Sequence, residues 1–131
     1  RLMFKIAAKA IANATYLMND KIAYTVVDRN MLKEYNALDE HLEGIPEILR
    51  QALSVEVAFV LKETVKKEAK FSFRSKTTDV ATLCGLFGGG GHKHAAGCVL
   101  KEPLDNALNK VLPEVKKLVE LFPEEYDTLR V

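Results

Sequence analysis

The chain has 131 residues, 48% hydrophobic and 28% charged, which fits one folded domain and excludes a disordered tail, a collagen-like repeat or a low-complexity linker. Nineteen Lys and Arg stand against 18 Asp and Glu, for a net charge of +1, so no broad field draws the molecule onto nucleic acid or membrane, and local groups must meet any anionic ligand. Two cysteines, Cys84 and Cys98, are too few for a disulfide framework and fit a reducing, cytoplasmic compartment, and no apolar run approaches the ~18 residues of a membrane span.

In chain order, residues 2–17 carry an amphipathic pattern that predicts a helix, with Arg1, Lys5 and Lys9 on its polar stripe and Asn19 to Lys21 as a polar turn. Ile22 to Val27 (IAYTVV) is β-branched and aromatic with little alternation, as expected of a central strand covered on both faces. Asn30 is expected to cap a short helix carrying Met31, Leu32 and Tyr35, and a second short helix follows Gly44 with Pro46 in its first turn. Val55 to Lys62 places Val55, Val57, Phe59 and Leu61 on one side, while Lys70 to Ser75 sets Phe71 and Phe73 opposite Ser72 and Arg74. These read as paired strands joined by a charged turn, KETVKKEAK.

Thr78 or Asp79 is expected to cap a helix on which Val80, Leu83, Cys84 and Phe87 recur at helical spacing, and Gly88 is its natural stop. A glycine loop comes next, then a tight strand, His94 to Leu100, whose Ala95, Ala96 and Gly97 imply close approach by backbone or ligand. A last helix carries Leu104, Leu108, Val111, Val115, Leu118 and Phe122, with Pro113 expected to kink or divide it. This order predicts a single α/β domain with a mixed sheet of about four to five strands flanked by helices.

The chemistry concentrates in Arg74 to Gly97, RSKTTDVATLCGLFGGGGHKHAAG. Four consecutive glycines, Gly88 to Gly91, are costly to order, so they imply unusual dihedrals or close contact; successive N–H groups there can form an anion-binding nest, or the run can be a flexible connection. His92, Lys93 and His94 follow directly, and Arg74, Ser75 and Lys76 end a neighbouring strand, so phosphate donors of four kinds are available. The phosphate-loop pattern fails for want of a Lys-Ser or Lys-Thr at the proper step, and the dinucleotide pattern fails because Lys93 stands where glycine is required. The His and Cys spacings match no structural zinc pattern, and nothing orients a Cys–His pair for nucleophilic attack. The segment is equipped to hold a phosphate and poorly equipped to cleave one.

GGGGHKHAAG closely resembles the GGGHxxAAG signature of the DHH-associated C-terminal domain of the first type, found in DHH phosphoesterases of the oligoribonuclease and pAp-phosphatase kind. The likeness extends through GIPEILR, VEVAFVLKET and FSFRSK. It implies that residues 1–18 are a linker-like helix from an N-terminal catalytic domain outside this sequence and that 19–131 form a substrate-binding domain. The resemblance further implies that Gly89, Gly90 and Gly91 shape a nucleotide-binding loop, that His92 reaches the scissile phosphate as the catalytic residue, and that Arg74 and Ser75 bind a substrate phosphate. No metal or cofactor is expected within this chain; a divalent metal, manganese, belongs to the other domain. The implied activity is metal-dependent hydrolysis, of the exonuclease type, of short oligonucleotides or small nucleoside phosphates, with this chain alone inactive. Partners would be that ligand, the N-terminal domain and a second copy in a homodimer, with no membrane. A related domain ends alanyl-tRNA synthetases, which leaves an RNA-binding or interaction module as the rival expectation.

Overall fold

The apolar spacing read from the sequence builds two cores, one on each face of a single sheet. A computed structural model describes residues 2–121. In chain order the elements are α1 (Leu2–Ala12), β1 (Thr15–Leu17), β2 (Ile22–Val27), α2 (Arg29–Glu34), a 3-10 turn at Asp39–Leu42, α3 (Ile45–Arg50), β3 (Val57–Glu63), β4 (Ala69–Ser75), α4 (Val80–Gly85), β5 (Gly90–His92), β6 (Ala95–Leu100) and α5 (Leu104–Glu120). The strands lie side by side as β1-β2-β3-β4-β6-β5, with β2 and β3 parallel and every other pair antiparallel. The expected α/β domain with a mixed sheet is therefore present, with six strands where four to five were expected.

Both additional strands are three-residue edges. The helix expected over residues 2–17 ends at Ala12, because Thr15 to Leu17 pair with Ile22 to Tyr24. Met18, Asn19 and Asp20 make that reversal in the left-handed region, where Asn and Asp are tolerated. Pairing satisfies backbone groups on β2 that would otherwise be left unbonded at the edge of the sheet, and this outweighs the weak helical preference of three residues. β2 thus lies one strand in from the edge, and Val26 is part-exposed at 39%. The other added strand comes from the glycine run.

On one face Phe59, Phe71 and Phe73 pack against Val80, Leu83 and Cys84 of α4 and Ala107, Val111, Val115 and Val119 of α5. Tyr24 stacks on Phe59 with ring centroids 4.9 Å apart. On the other face Ala23, Val27, Ala58 and Val60 meet Ile6, Ala10, Leu32, Leu42, Ile45 and Leu49 from α1, α2, the 3-10 turn and α3. Ile6 and Ala10 are fully buried, and the Thr25 hydroxyl donates to the Ala10 carbonyl at 2.7 Å, so α1 is packed into the domain.

α5 continues through Pro113 in one piece. Losing a helix hydrogen bond costs about 3 kcal/mol, whereas burying Val115 and Val119 beyond the proline contributes about 1.5–3 kcal/mol each, so packing holds the second half on the sheet. Phe122 lies outside the described residues. The α2 cap is Asp28, whose carboxylate accepts from the Met31 N–H at 2.8 Å, and not Asn30. Asp79 caps α4 through the Thr82 N–H at 3.0 Å. The charged turn closes by Thr64 N–H donating to Glu68 O at 2.8 Å with Lys67 left-handed at φ 62°, a three-residue hairpin loop.

Candidate phosphate-binding face

The helices on the second face cover only half of it. α1, α2, the 3-10 turn and α3 pack over β2 and β3, and α3 also reaches onto β4, which leaves bare the same side of β6 and β5 and the part of β4 that α3 does not reach. Residues paired across adjacent strands share a face, so the register states which side chains occupy this bare area. One row runs Ala58, Arg74, Ala95, His92, and the next runs Val60, Ser72, Gly97, Gly90. Arg74 and His92 therefore stand on one face two strands apart, about 10 Å at the usual strand spacing. Between and beside them the floor is alanine and glycine.

Arg74 is half-buried, and its Nη1 donates to the Phe73 carbonyl at 2.9 Å; no carboxylate forms an ion pair with it among the described residues. Glu47 on α3 lies close enough to interact with its charge. Arg50, hydrogen-bonded to it, holds the Glu47 carboxyl below the usual carboxylate range, with a smaller contribution from Arg74. Because Glu47 is engaged by Arg50, the remaining guanidinium donors of Arg74 are open for a planar oxyanion. His92 is exposed on the edge strand.

The glycine run divides by function. Gly88 sits at φ 78° and Gly91 at φ 143°, both in the left-handed region. A Cβ on Gly89 would meet the Gly97 carbonyl oxygen at 2.2 Å, and one on Gly91 would meet the Ala96 Cα at 2.7 Å, so both let β5 close against β6. Gly90 has no such need: its φ is not positive and a Cβ there would have nothing within 4 Å. The Gly88 and Gly89 N–H groups donate to the Gly85 and Cys84 carbonyls at 3.3 and 2.9 Å. The expected nest of converging N–H donors is thus replaced by a helix stop and an edge strand. Gly90 faces the open area beside Gly97.

Ser75, expected beside Arg74, is turned away. Alternation on β4 sends it to the opposite face, where it is buried and its Oγ donates to the Thr78 carbonyl; it shapes the following loop instead of facing a ligand. Lys76 Nζ donates to the Ala52 and Leu53 carbonyls at 2.8 and 2.7 Å, beyond the C-terminus of α3. Lys93 and His94 form the exposed β5–β6 turn, and their carbonyls accept from Val80 and Ser75 at 2.8 and 3.1 Å.

Two residues that sequence reasoning did not nominate complete the site. Ser72 shares the face of Arg74, a placement its alternation with Phe71 and Phe73 already carried. Glu56 is fully buried and accepts from the Thr77 and Thr78 N–H groups at 2.8 and 3.1 Å and from their hydroxyls at 3.0 and 2.8 Å. It clamps the segment leaving β4, and its signal was a lone charge inside an apolar run. On the β3 side the bare face deepens into a groove floored by Val60, Ser72 and Lys70 and walled by Asp39, Glu40 and Glu43. Asp39 is held below its usual range: burial raises it, but Arg29 and Lys62 together overcome that.

Among the described residues no three His, Cys, Asp or Glu side chains gather as a metal site, and no helix is long and apolar enough to cross a membrane. Residues 19–121 match the model of the DHHA1 domain. The chain belongs to the DHHA1 domain family. Three solved structures share the fold. An exopolyphosphatase-related protein from Bacteroides fragilis superposes with TM-score 0.82 at 19% identity, over 92% of this chain and 36% of that one. A pGpG-specific phosphodiesterase from Vibrio cholerae gives 0.62 at 16%, over 89% and 41%. The C-Ala domain of Aquifex aeolicus alanyl-tRNA synthetase gives 0.58 at 15%, over 80% and 96%. The DHHA1 domain thus spans well under half the length of the first two. Gly90, Gly91 and His92 of its signature lie on β5, and Arg74 stands two strands away on the face of His92.

Proposed function

We propose that this DHHA1 domain is the substrate-holding part of a hydrolase of the DHH phosphoesterase family, acting in the cytoplasm on short oligonucleotides or small nucleoside phosphates. The observation that carries this is the row Arg74, Ala95, His92 on an uncovered sheet face, beside a row in which Gly97 and Gly90 present bare main chain. Arg74 binds a phosphate by two parallel hydrogen bonds, His92 donates to or orients the phosphate that is cleaved, and Gly90 and Gly97 let the sugar or base lie against the backbone. Ser72 adds a neutral hydrogen bond.

Two structures sharing the fold are named a phosphodiesterase and an exopolyphosphatase-related protein, which agrees with a phosphoester ligand. On this reading a divalent metal, manganese, is held by another domain of the parent protein. Such a metal would generate the attacking hydroxide and polarise the phosphoryl group. The chain's own contribution is to bind and orient.

Titration of this chain with a nucleoside monophosphate, a short oligonucleotide and intact tRNA tests the reading. The two small ligands are expected to bind. Arg74→Ala is expected to weaken binding about ten- to hundredfold, the value of a lost charged hydrogen bond of ~1.5–3 kcal/mol, with the melting temperature unchanged. Preference for intact tRNA would favour an RNA-binding module, a rival supported by the near-complete coverage of the C-Ala domain. Nucleotide binding that ignores both Arg74→Ala and His92→Ala would refute the site.

A further inference from the structure

The bare face does not end at Ser72. The next row along the sheet is Lys62, Lys70, Val99, on the same side as Arg74 and His92. Lys62 is engaged by Asp39 at 3.0 Å, but Lys70 is exposed and has no hydrogen bond or ion pair among the described residues. Beside it Val99 is 44% exposed, an apolar side chain on the same sheet face. Four residues along a strand place the Cα atoms of Arg74 and Lys70 about 14 Å apart. Ser72 stands midway.

Charge on the two flanks of Lys70 differs. On the β3 side Asp39, Glu40 and Glu43 wall the groove that Ser72 and Lys70 floor; Arg29 and Lys62 engage Asp39, while Glu40 and Glu43 repel phosphate from that side. On the β6 side stand Ala95, Gly97 and Val99, which are uncharged. An anionic chain held at Arg74 is therefore directed along the β6 side of β4, toward Lys70.

We infer that Lys70 and Val99 form a second subsite that distinguishes a ligand with two or more spaced phosphates from a mononucleotide, which rests on the phosphate-binding reading of Arg74 and His92. A phosphate seated at Arg74 leaves Lys70 out of reach of a mononucleotide. A linear ligand that continues for another nucleotide or two brings a further phosphate to the Lys70 ammonium and a sugar or base edge onto Val99. Lys70 is in this sense a length sensor, and Ser72 accommodates the intervening unit.

Binding of 5′-phosphorylated oligoadenylates of one to four nucleotides to the 131-residue chain tests this. Affinity is expected to step up between one and three nucleotides. Lys70→Ala should reduce that step by about two- to fivefold, the range for an exposed charge pair, and lower the salt slope for the longer ligands by about 0.7. Mononucleotide affinity should not change. Lys116→Ala, which removes the same charge from α5 on the opposite side of the sheet, should leave both the step and the slope intact. A step that survives Lys70→Ala, or one that Lys116→Ala removes equally, overturns the subsite while leaving the Arg74 site standing. Absence of mononucleotide binding, or binding indifferent to Arg74→Ala, refutes the underlying site and the subsite with it.

Discussion

Gly89 and Gly90 are neighbours that lack a side chain for opposite reasons, and alanine at each position separates those reasons. A Cβ on Gly89 would lie 2.2 Å from the Gly97 carbonyl oxygen, 2.6 Å from Cys98 Cβ and 2.8 Å from Cys98 Cα. Two of those atoms are β6 backbone, held by β4 on one side and β5 on the other, so no side-chain rotation relieves the clash. β6 must shift by about an ångström before the contact becomes ordinary. Overpacking that side chains can absorb costs about 1–3 kcal/mol, and a backbone clash belongs at the upper end, about 3 kcal/mol. At roughly 4 °C per kcal/mol for a domain of this size, Gly89→Ala should melt about 12 °C lower.

Gly90→Ala meets nothing within 4 Å and requires no positive φ. Alanine there restricts the unfolded chain and should stabilise the fold by about 0.4–1 kcal/mol, raising the melting temperature by a few degrees. Its methyl group, however, enters the face between Gly97 and His92. Nucleoside monophosphate affinity should fall roughly tenfold, equivalent to ~1.4 kcal/mol. Thermal unfolding and calorimetric titration of both variants decide the matter. Unchanged affinity in Gly90→Ala, or a Gly89→Ala that melts like the parent, would refute the assignment of roles within the glycine run.

Glu56→Gln should destabilise by about 2–4 kcal/mol in urea unfolding, because an amide cannot accept from all four donors of Thr77 and Thr78 and leaves buried N–H groups unmatched; stability equal to the parent would remove the clamp. The depressed Asp39 carboxyl gives a pH signature. Its stabilising contribution is complete above the unfolded-state pKa of about 3.9 and is lost as pH falls through the lower folded value. The urea midpoints of the parent and Asp39→Asn should therefore differ at neutral pH and converge in acid; a gap that widens below pH ~4 would contradict the Arg29–Asp39–Lys62 cluster. The adjacent Cys98 thiol and burial push the Cys84 thiol well above its usual range. Both cysteines should resist a thiol reagent in the native protein and react fully in denaturant, and rapid native labelling would show that α4 does not seal them.

The central strands and most helices were legible because their residues obey one period at a time. Phe71, Phe73, Ser72 and Arg74 alternate cleanly, and that alternation placed Arg74 on the side away from the aromatic core. The edge strands were not legible: Thr15 to Leu17 and Gly90 to His92 are strands only because a neighbour supplies their partners, a long-range cause that local pattern does not contain. Ser75 was misplaced by extending the run of polar residues past Arg74 without applying the same alternation once more. Pro113 was given its local effect, whereas the buried stripe of α5 decides the outcome. The Gly90–Gly97 pairing needed the register and was invisible beforehand.

Because α1 to α3 roof β2 and β3 and α3 extends onto β4, that extension sets how wide the recognition trough stands open. Lengthening or tilting that roof would narrow the mouth beside Arg74 without disturbing the aromatic interior behind it. Ligand girth in this architecture is thus adjustable from one bordering helix, independently of the strands that carry the charge.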